Sequence, residues 1–430
     1  MEEEKQDIQG QSKAEGQATE EINEELLPEF KNWKRRTALY LTGQTISLFG
    51  SSLVQFAIIW YITLSTQSGS MMTLSAICGF GPQVIISLFS GVWADRYNRK
   101  ILIMAADAMV ASATLVLAML FLNGMNDFWM IFIVLGVRSL GSGIQTPAVN
   151  ALLPQLVPKS KLIRVGGVNG SLQSVMFLLS PAAAGAILSF AAVESTFLID
   201  VTTAAVAIVI MFFLKVKPHE KALLKLKGGY LDDLKAGIKY VWSNGFFRAF
   251  FLYFALYMFF VVPAAQLSPL MVARTFGDEY WRLSLTEVMW SAGSAVGGVL
   301  ITVWGGFKNR MRTVALAYTL FGVLTILLGV VPGFVGFQIV MTLAGLTLPL
   351  MTTPSMALLQ EQVDPNMQGR VFSLVQIVMT AMMPLGMAIF GPLADAVRIE
   401  LLMVVTGIIL ALLGVGVFKN KHFRHGLITE

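Results

Sequence analysis

The sequence predicts an all-α membrane protein: twelve transmembrane helices in two six-helix bundles, with both termini cytoplasmic. Three observations predict it. The 430 residues are 55% hydrophobic and only 13% charged, with mean hydropathy +0.69, whereas a soluble domain is about a quarter charged. Apolar runs of about 20 residues, the length that crosses a bilayer, recur along the chain. Lysine and arginine crowd into alternate connections, as the positive-inside rule requires.

Taken in order, residues 1–32 read as an acidic, disordered cytoplasmic tail, too polar and negative for a cleavable leader. The spans fall at 37–64, 73–94, 101–122, 128–150, 162–190 and 194–214, which make an N-terminal bundle over 33–214. They continue at 246–272, 283–304, 311–331, 333–357, 371–393 and 400–418, a C-terminal bundle over 246–418. Between them, 215–245 is a cytoplasmic linker. Its Leu231, Leu234, Ile238 and Val241 share one helical face opposite Asp232, Asp233, Lys235 and Lys239, which predicts an amphipathic helix on the inner leaflet. Residues 419–430 form a second cytoplasmic tail.

The even-numbered connections carry Arg96, Arg99 and Lys100; Lys159, Lys161 and Arg164; a run from Lys215 to Arg248; Lys308, Arg310 and Arg312; and Arg370. The odd ones carry Arg274, Arg282 and Arg398. The halves echo each other. Pro147, Gln155 and Pro158 recur at constant offset as Pro354, Gln362 and Pro365, and the turn Gly91-Val-Trp-Ala-Asp95-Arg96-Tyr-Asn98-Arg99-Lys100 returns in weaker form as Gly305-Gly306-Phe307-Lys308-Asn309-Arg310.

Composition also excludes. Cys78 is the single cysteine, so no internal disulfide forms, and the three histidines lie in polar segments. No Gly-Lys pair exists, hence no phosphate-cradling loop. No span holds histidine or two carboxylates at dyad spacing, which argues against an intramembrane enzyme. A non-transporting sensor would need a signalling domain that two short tails do not supply. No metal, cofactor or nucleic acid is expected. The expected partners are a small amphiphile, protons and the lipid bilayer; the chain is expected to act as a monomer, with no indication of an ATPase partner.

Gly91, Asp95, Arg96, Arg99 and Lys100 resemble the signature of the major facilitator superfamily between its second and third spans, with Asn98 where glycine is usual; asparagine tolerates the left-handed conformation of a tight turn. Arg138, Gly141 and Gly143 in span four are similar to its second motif, which implies a transport-path arginine. Ser180-Pro181-Ala-Ala-Ala-Gly185 is similar to the antiporter motif of span five, with serine in place of glycine. Gly43-Gln44-Thr-Ile-Ser47-Leu48, Gln55-Phe-Ala57-Ile58-Ile59-Trp-Tyr61 and Phe197-Leu-Ile-Asp200 resemble the macrolide-efflux branch and the related siderophore exporters. The resemblance implies a multi-pass bacterial plasma-membrane exporter, driven by protons, with a siderophore exporter or a lysolipid flippase or importer as alternatives on the same fold.

Individual residues carry finer expectations. Arg138 is the one basic residue deep in a span and must face the bundle interior, since an arginine at the bilayer centre costs at least about 2.5–3.5 kcal/mol; Ser142 and Gln145 share its face. Asp107 is expected to hold an inward gate with Arg96 and Arg99, or else to carry a proton. Asp200 and Glu287 are proton-coupling candidates whose plainer reading is an interfacial acid. Gln44, Ser47, Ser51 and Gln55 form a polar stripe on span one. The glutamines and Ser47 are candidates for the substrate path, as are Asn169, Gln173, Tyr253, Tyr257 and Gln376. The body of span one lacks an acid, so a neutral or bulky amphiphile fits better than a small organic cation.

Overall fold

The computed structural model describes Phe30 and residues 32–216 and 230–424. The acidic tail before Phe30, the basic first part of the linker and the last residues of the chain lie outside the described residues. So does the Asp95 side chain.

The helices are α1 Trp33–Thr66, α2 Gly69–Arg96, α3 Arg99–Leu122, α4 Phe128–Leu156, α5 Leu162–Phe190, α6 Glu194–Phe213, α7 Tyr230–Ser243, α8 Gly245–Phe260, α9 Val262–Gln266, α10 Ser268–Thr275, α11 Tyr280–Trp304, α12 Arg310–Val330, α13 Phe334–Gln362, α14 Gln368–Ala396, α15 Ile399–Lys419 and α16 Lys421–Arg424. Among the described residues, eleven are long and apolar enough to cross a membrane. The remaining crossing differs from the single helix expected over 246–272. It is broken into α8, α9 and α10, with Pro263 and Pro269 each at the start of a new piece. Proline has no N–H to donate and crowds the preceding turn, so two of them six residues apart break an apolar run twice.

Short polar residues set the helix starts. Asn98 accepts the Lys100 N–H at 3.0 Å and Asn309 accepts the Met311 N–H at 3.0 Å. Asn98 has φ −64°, so its turn needs a helix cap rather than the left-handed conformation expected there. The left-handed positions of the matching turn are Gly305 and Gly306, at φ 73° and 79°.

The halves pack by one plan. In the first, α1 packs on α5 and α6, α2 on α4, and α3 on α4 and α6; in the second, α8 packs on α14 and α15, α11 on α13, and α12 on α13 and α15. Helices α4 and α13 are both 29 residues long, as are α5 and α14. The amphipathic α7 lies against α8 and α14, with Gly237 facing Arg370 and Leu374, and Val241 buried.

The bundles meet along two seams, α2 with α14 and α5 with α11. Both seams are tight near one face of the molecule, called here the far face, opposite the face where α1 starts and α15 ends. There a Cβ on Gly69 would lie 2.1 Å from the Gly391 carbonyl oxygen, and one on Gly185 would lie 2.1 Å from Ser284 Cβ. The apolar core follows the same asymmetry. One cluster joins the C-terminal bundle to the far half of the N-terminal bundle through residues such as Trp60, Leu117 and Phe197. A separate cluster around Tyr40, Ile103, Leu152 and Met211 fills the other half of the N-terminal bundle. On that side, the half of α5 around Ile163, Gly166 and Gly170 faces open space. The bundles are therefore sealed at the far face and splayed at the termini face.

Candidate functional site

Two polar layers sit inside the N-terminal bundle. In the deeper one, Arg138 of α4 forms an ion pair with Asp200 of α6, and both are almost fully buried, at 5% and 1% exposure. Ser51 of α1 donates to Asp200 Oδ1 at 3.2 Å, and Thr114 of α3 donates to Oδ2 at 3.2 Å. Arg138 also donates to Thr114 Oγ1 at 2.6 Å and to the Ser51 carbonyl at 3.1 Å. One carboxylate and one guanidinium thus tie together α1, α3, α4 and α6. Ionic groups that are paired and otherwise hydrogen-bonded escape most of the penalty of burial. Asp200 is therefore an internal counter-charge, not the interfacial acid that was its plainer reading.

Toward the termini face, one turn away along α1 and two along α3 and α4, lies the second layer. Asp107 of α3 accepts from Ser47 Oγ at 3.2 Å and from Gln145 Nε2 at 2.7 Å. Among the described residues Asp107 bonds no arginine, so the expected pairing with Arg96 and Arg99 is not made in this splayed conformation. Arg99 points elsewhere, its Nε donating to the Ala94 carbonyl at 2.9 Å and its Nη1 to that of Ala151 at 2.7 Å. Lys100 Nζ donates to the carbonyls of Phe212 and Leu214 at the end of α6, both at 2.8 Å. Cations at helix C-termini are favourably placed, so this turn staples α2, α4 and α6 of its own bundle. Arg96 is exposed, and Gly91 has nothing within reach of an added Cβ.

The cleft between the bundles receives part of the expected lining. Gln55, Ser75 and Phe80 of the first bundle and Gln266 and Met387 of the second line one pocket, with Gln266 Nε2 reaching Met383 Sδ at 3.6 Å. Gln266 ends the short α9, so the break in span seven delivers an amide to the bundle interface. Gln44 and Asn169 are half-buried, and Gln173 and Gln376 are exposed on the splayed halves of α5 and α14. The two tyrosines depart from expectation. Tyr257 is buried in the second bundle, stacked on Tyr318 with centroids 3.9 Å apart, and Tyr253 packs on Phe423 and Gly416. Their spacing on α8 is helical, but the face they share points into the bundle rather than the cleft.

The far-face seal was not anticipated. Asp395, near the end of α14, accepts the backbone N–H of Gly69 at 2.7 Å and of Ser70 at 2.8 Å, and the Ser68 hydroxyl at 2.9 Å. A carboxylate of one bundle thereby caps the first turn of a helix in the other, where free N–H groups and the helix dipole favour an anion. Arg274 of α10 pairs with Asp395 at 2.8 Å and donates to the Gln67 carbonyl. At the second seam Ser284 donates to the Pro181 carbonyl at 2.8 Å. Glu287, one turn further along α11, is half-buried, and among the described residues no hydrogen bond or ion pair reaches it.

Comparison with known proteins sets these features in a family. The model of the Major Facilitator Superfamily matches residues 40–387. The chain is 30% identical to macrolide efflux protein A of Streptococcus pyogenes over 87% of its own length and 93% of the relative. It is 31% identical to macrolide efflux protein A of Enterococcus faecalis over 74% of its length and all of that protein, and 23% identical to a staphyloferrin A transporter of Staphylococcus aureus over 84% and 89%. Among solved structures, it resembles a bacterial homologue of the iron transporter ferroportin, in an inward-facing state, with TM-score 0.67 at 15% identity over 90% of this chain and 99% of that one. The nucleoside transporter NupG matches with TM-score 0.69 at 14% identity over 90% and 100%.

Proposed function

Because the chain belongs to the Major Facilitator Superfamily, we propose that it is a secondary active exporter that moves a bulky, macrolide-like amphiphile out of the cell by alternating access, in antiport with protons. The observation that carries this reading is the lopsided bundle interface, tight at the far face and splayed at the termini face. Such a cleft loads from one side and must reverse to release on the other. The bias of lysine and arginine supports a cytoplasmic termini face, the side from which an exporter loads. The macrolide-like substrate is supported by 30% identity to macrolide efflux protein A over 87% of this chain and 93% of the relative.

In the mechanism, substrate enters the cleft between α5 and α14 and settles against Gln55 and Gln266 near the far-face seal. The Arg138 and Asp200 layer keeps four helices of the first bundle moving as one body. Asp107 is the proton carrier: it is buried, bonded by neutral donors only, and next to the polar stripe of α1. Proton arrival there changes the hydrogen-bond inventory of Ser47 and Gln145, and the bundles rock about the site. The Asp395 cap then opens and substrate leaves at the far face.

The test is accumulation of a labelled macrolide in cells with and without the protein, before and after a protonophore. Lower accumulation that the protonophore erases supports the reading. Unchanged accumulation, with the protein present in the membrane, sinks the macrolide substrate. A siderophore is the second reading, supported by the staphyloferrin A relative, and it predicts altered growth under iron limitation instead.

A further inference from the structure

We propose that Glu287 is the counter-ion for a cationic centre on the substrate, so that the exported amphiphile is a lipophilic amine: an ammonium group on a bulky apolar body. The inference rests on the export reading above and names the chemistry its site recognises.

The faces of α11 are fixed by what they touch. Thr286 accepts the Gln338 amide of α13 at 2.8 Å, a Cβ on Gly293 would lie 1.9 Å from the Thr342 carbonyl, and one on Gly297 would lie 2.2 Å from that of Leu346. One side of α11 is therefore committed to α13. Ser284 and Ser291 reach the Pro181 and Phe177 carbonyls of α5 and define the seam with the other bundle. Val296, Val299 and Val303 are exposed and form the outward, lipid side. With 3.6 residues per turn, Glu287 falls in the sector between the α13 side and the α5 seam, away from the valines. That sector opens on the cleft between the bundles.

Among the described residues, no group compensates the carboxylate there. Arg282, the one basic residue of α11, lies on the opposite side of the helix and pairs with Glu279 at 2.6 Å. Helix α13 contributes no lysine or arginine, and the only acid it carries, Glu361, pairs with Arg310 at its far end. The only charge on α5 is Arg164, at its termini end, and on α14 the charges are Arg370 at its start and Asp395 in the seal. Glu287 is also the one acid in the interior of the second bundle's spanning helices. An ionisable group within the membrane is costly and finds a partner or a function. Asp200 finds Arg138 and Asp395 finds Arg274; Glu287 faces the substrate cleft with its partner position open. The lack of an acid in span one suggested a neutral substrate; the anionic group is instead supplied by span eight.

The test compares two probes on the purified full-length protein: labelled erythromycin, which carries a basic dimethylamino group, and its N-demethyl-N-acetyl derivative, which has the same body without a basic nitrogen. The wild type should bind the amine more tightly than the amide. Glu287→Gln should weaken amine binding at least about tenfold, as loss of one partner of a close charge pair does, and leave amide binding unchanged; Glu287→Asp should retain part of the preference. Equal loss for both probes, no loss for either, or a wild type without preference for the amine overturns the proposal. Protein that binds the amine through Glu287 but does not lower its accumulation in cells supports the counter-ion and overturns export.

Discussion

At Arg138 and Asp200, two side chains 62 residues apart in sequence share one ion pair inside an apolar bundle. Removing one partner leaves the other charged and buried, so Asp200→Asn should destabilise the protein by about 3–5 kcal/mol, read as a drop in thermal unfolding temperature in detergent. The double replacement Arg138→Met with Asp200→Leu should recover much of that loss; if it unfolds as early as Asp200→Asn alone, the pair is not the cause. Asp107→Asn should behave differently, folding normally and still exchanging substrate down its gradient while losing uphill transport. Uphill transport at the wild-type rate in that variant would remove Asp107 as the carrier. The sequence made the burial of Arg138 legible, because a lone arginine amid apolar residues has nowhere else to go. It did not reveal Asp200 as the partner, since the pairing depends on α4 and α6 being brought together around α3. The direction of Tyr257 was likewise hidden: helical spacing relates residues on one face without saying which neighbour that face meets.

Among the elements, the broken span seven and the capped start of α2 shape the cleft and its far-face seal. The breaks were legible in Pro263 and Pro269 and yet a single span was expected, because the run is apolar throughout. The seal was illegible for a different reason: its donors are backbone amides of Gly69 and Ser70, and backbone groups leave no mark on a sequence. Asp395→Ala removes the acceptor that holds α2 to α14. In a Cys78→Ala background, Thr73→Cys, whose side-chain position is buried under Met387, should react about tenfold faster with a membrane-impermeant maleimide once Asp395 is also replaced, a shift of about 1.4 kcal/mol toward opening. An unchanged labelling rate would mean that the helix packing alone keeps the seal shut.

For the whole molecule, the two halves repeat one packing plan, and the fold class follows from hydropathy, charge alternation and paired proline positions, all written in the chain. The conformation does not follow from those, since in the proposed alternating-access cycle the same sequence closes either face in turn. Gly391→Leu puts side-chain atoms where Thr73 and the Gly69 carbonyl already lie, so the far face cannot shut. Spin labels at Ser171 and Ser373, exposed on the splayed halves of α5 and α14, should then move closer together than in the parent protein. An identical distance distribution would argue that the glycine contact is not what sets the balance between the two states.

The cap that Asp395 gives to α2 comes from the other bundle, so in the proposed cycle each opening of the far face leaves the first turn of α2 with only its own Ser68 to hold it. That turn should fray and re-form once per cycle. Deuterium uptake at the Gly69 and Ser70 amides would then count turnovers, slow while the protein waits for cargo and quickened when substrate and a proton gradient are both supplied.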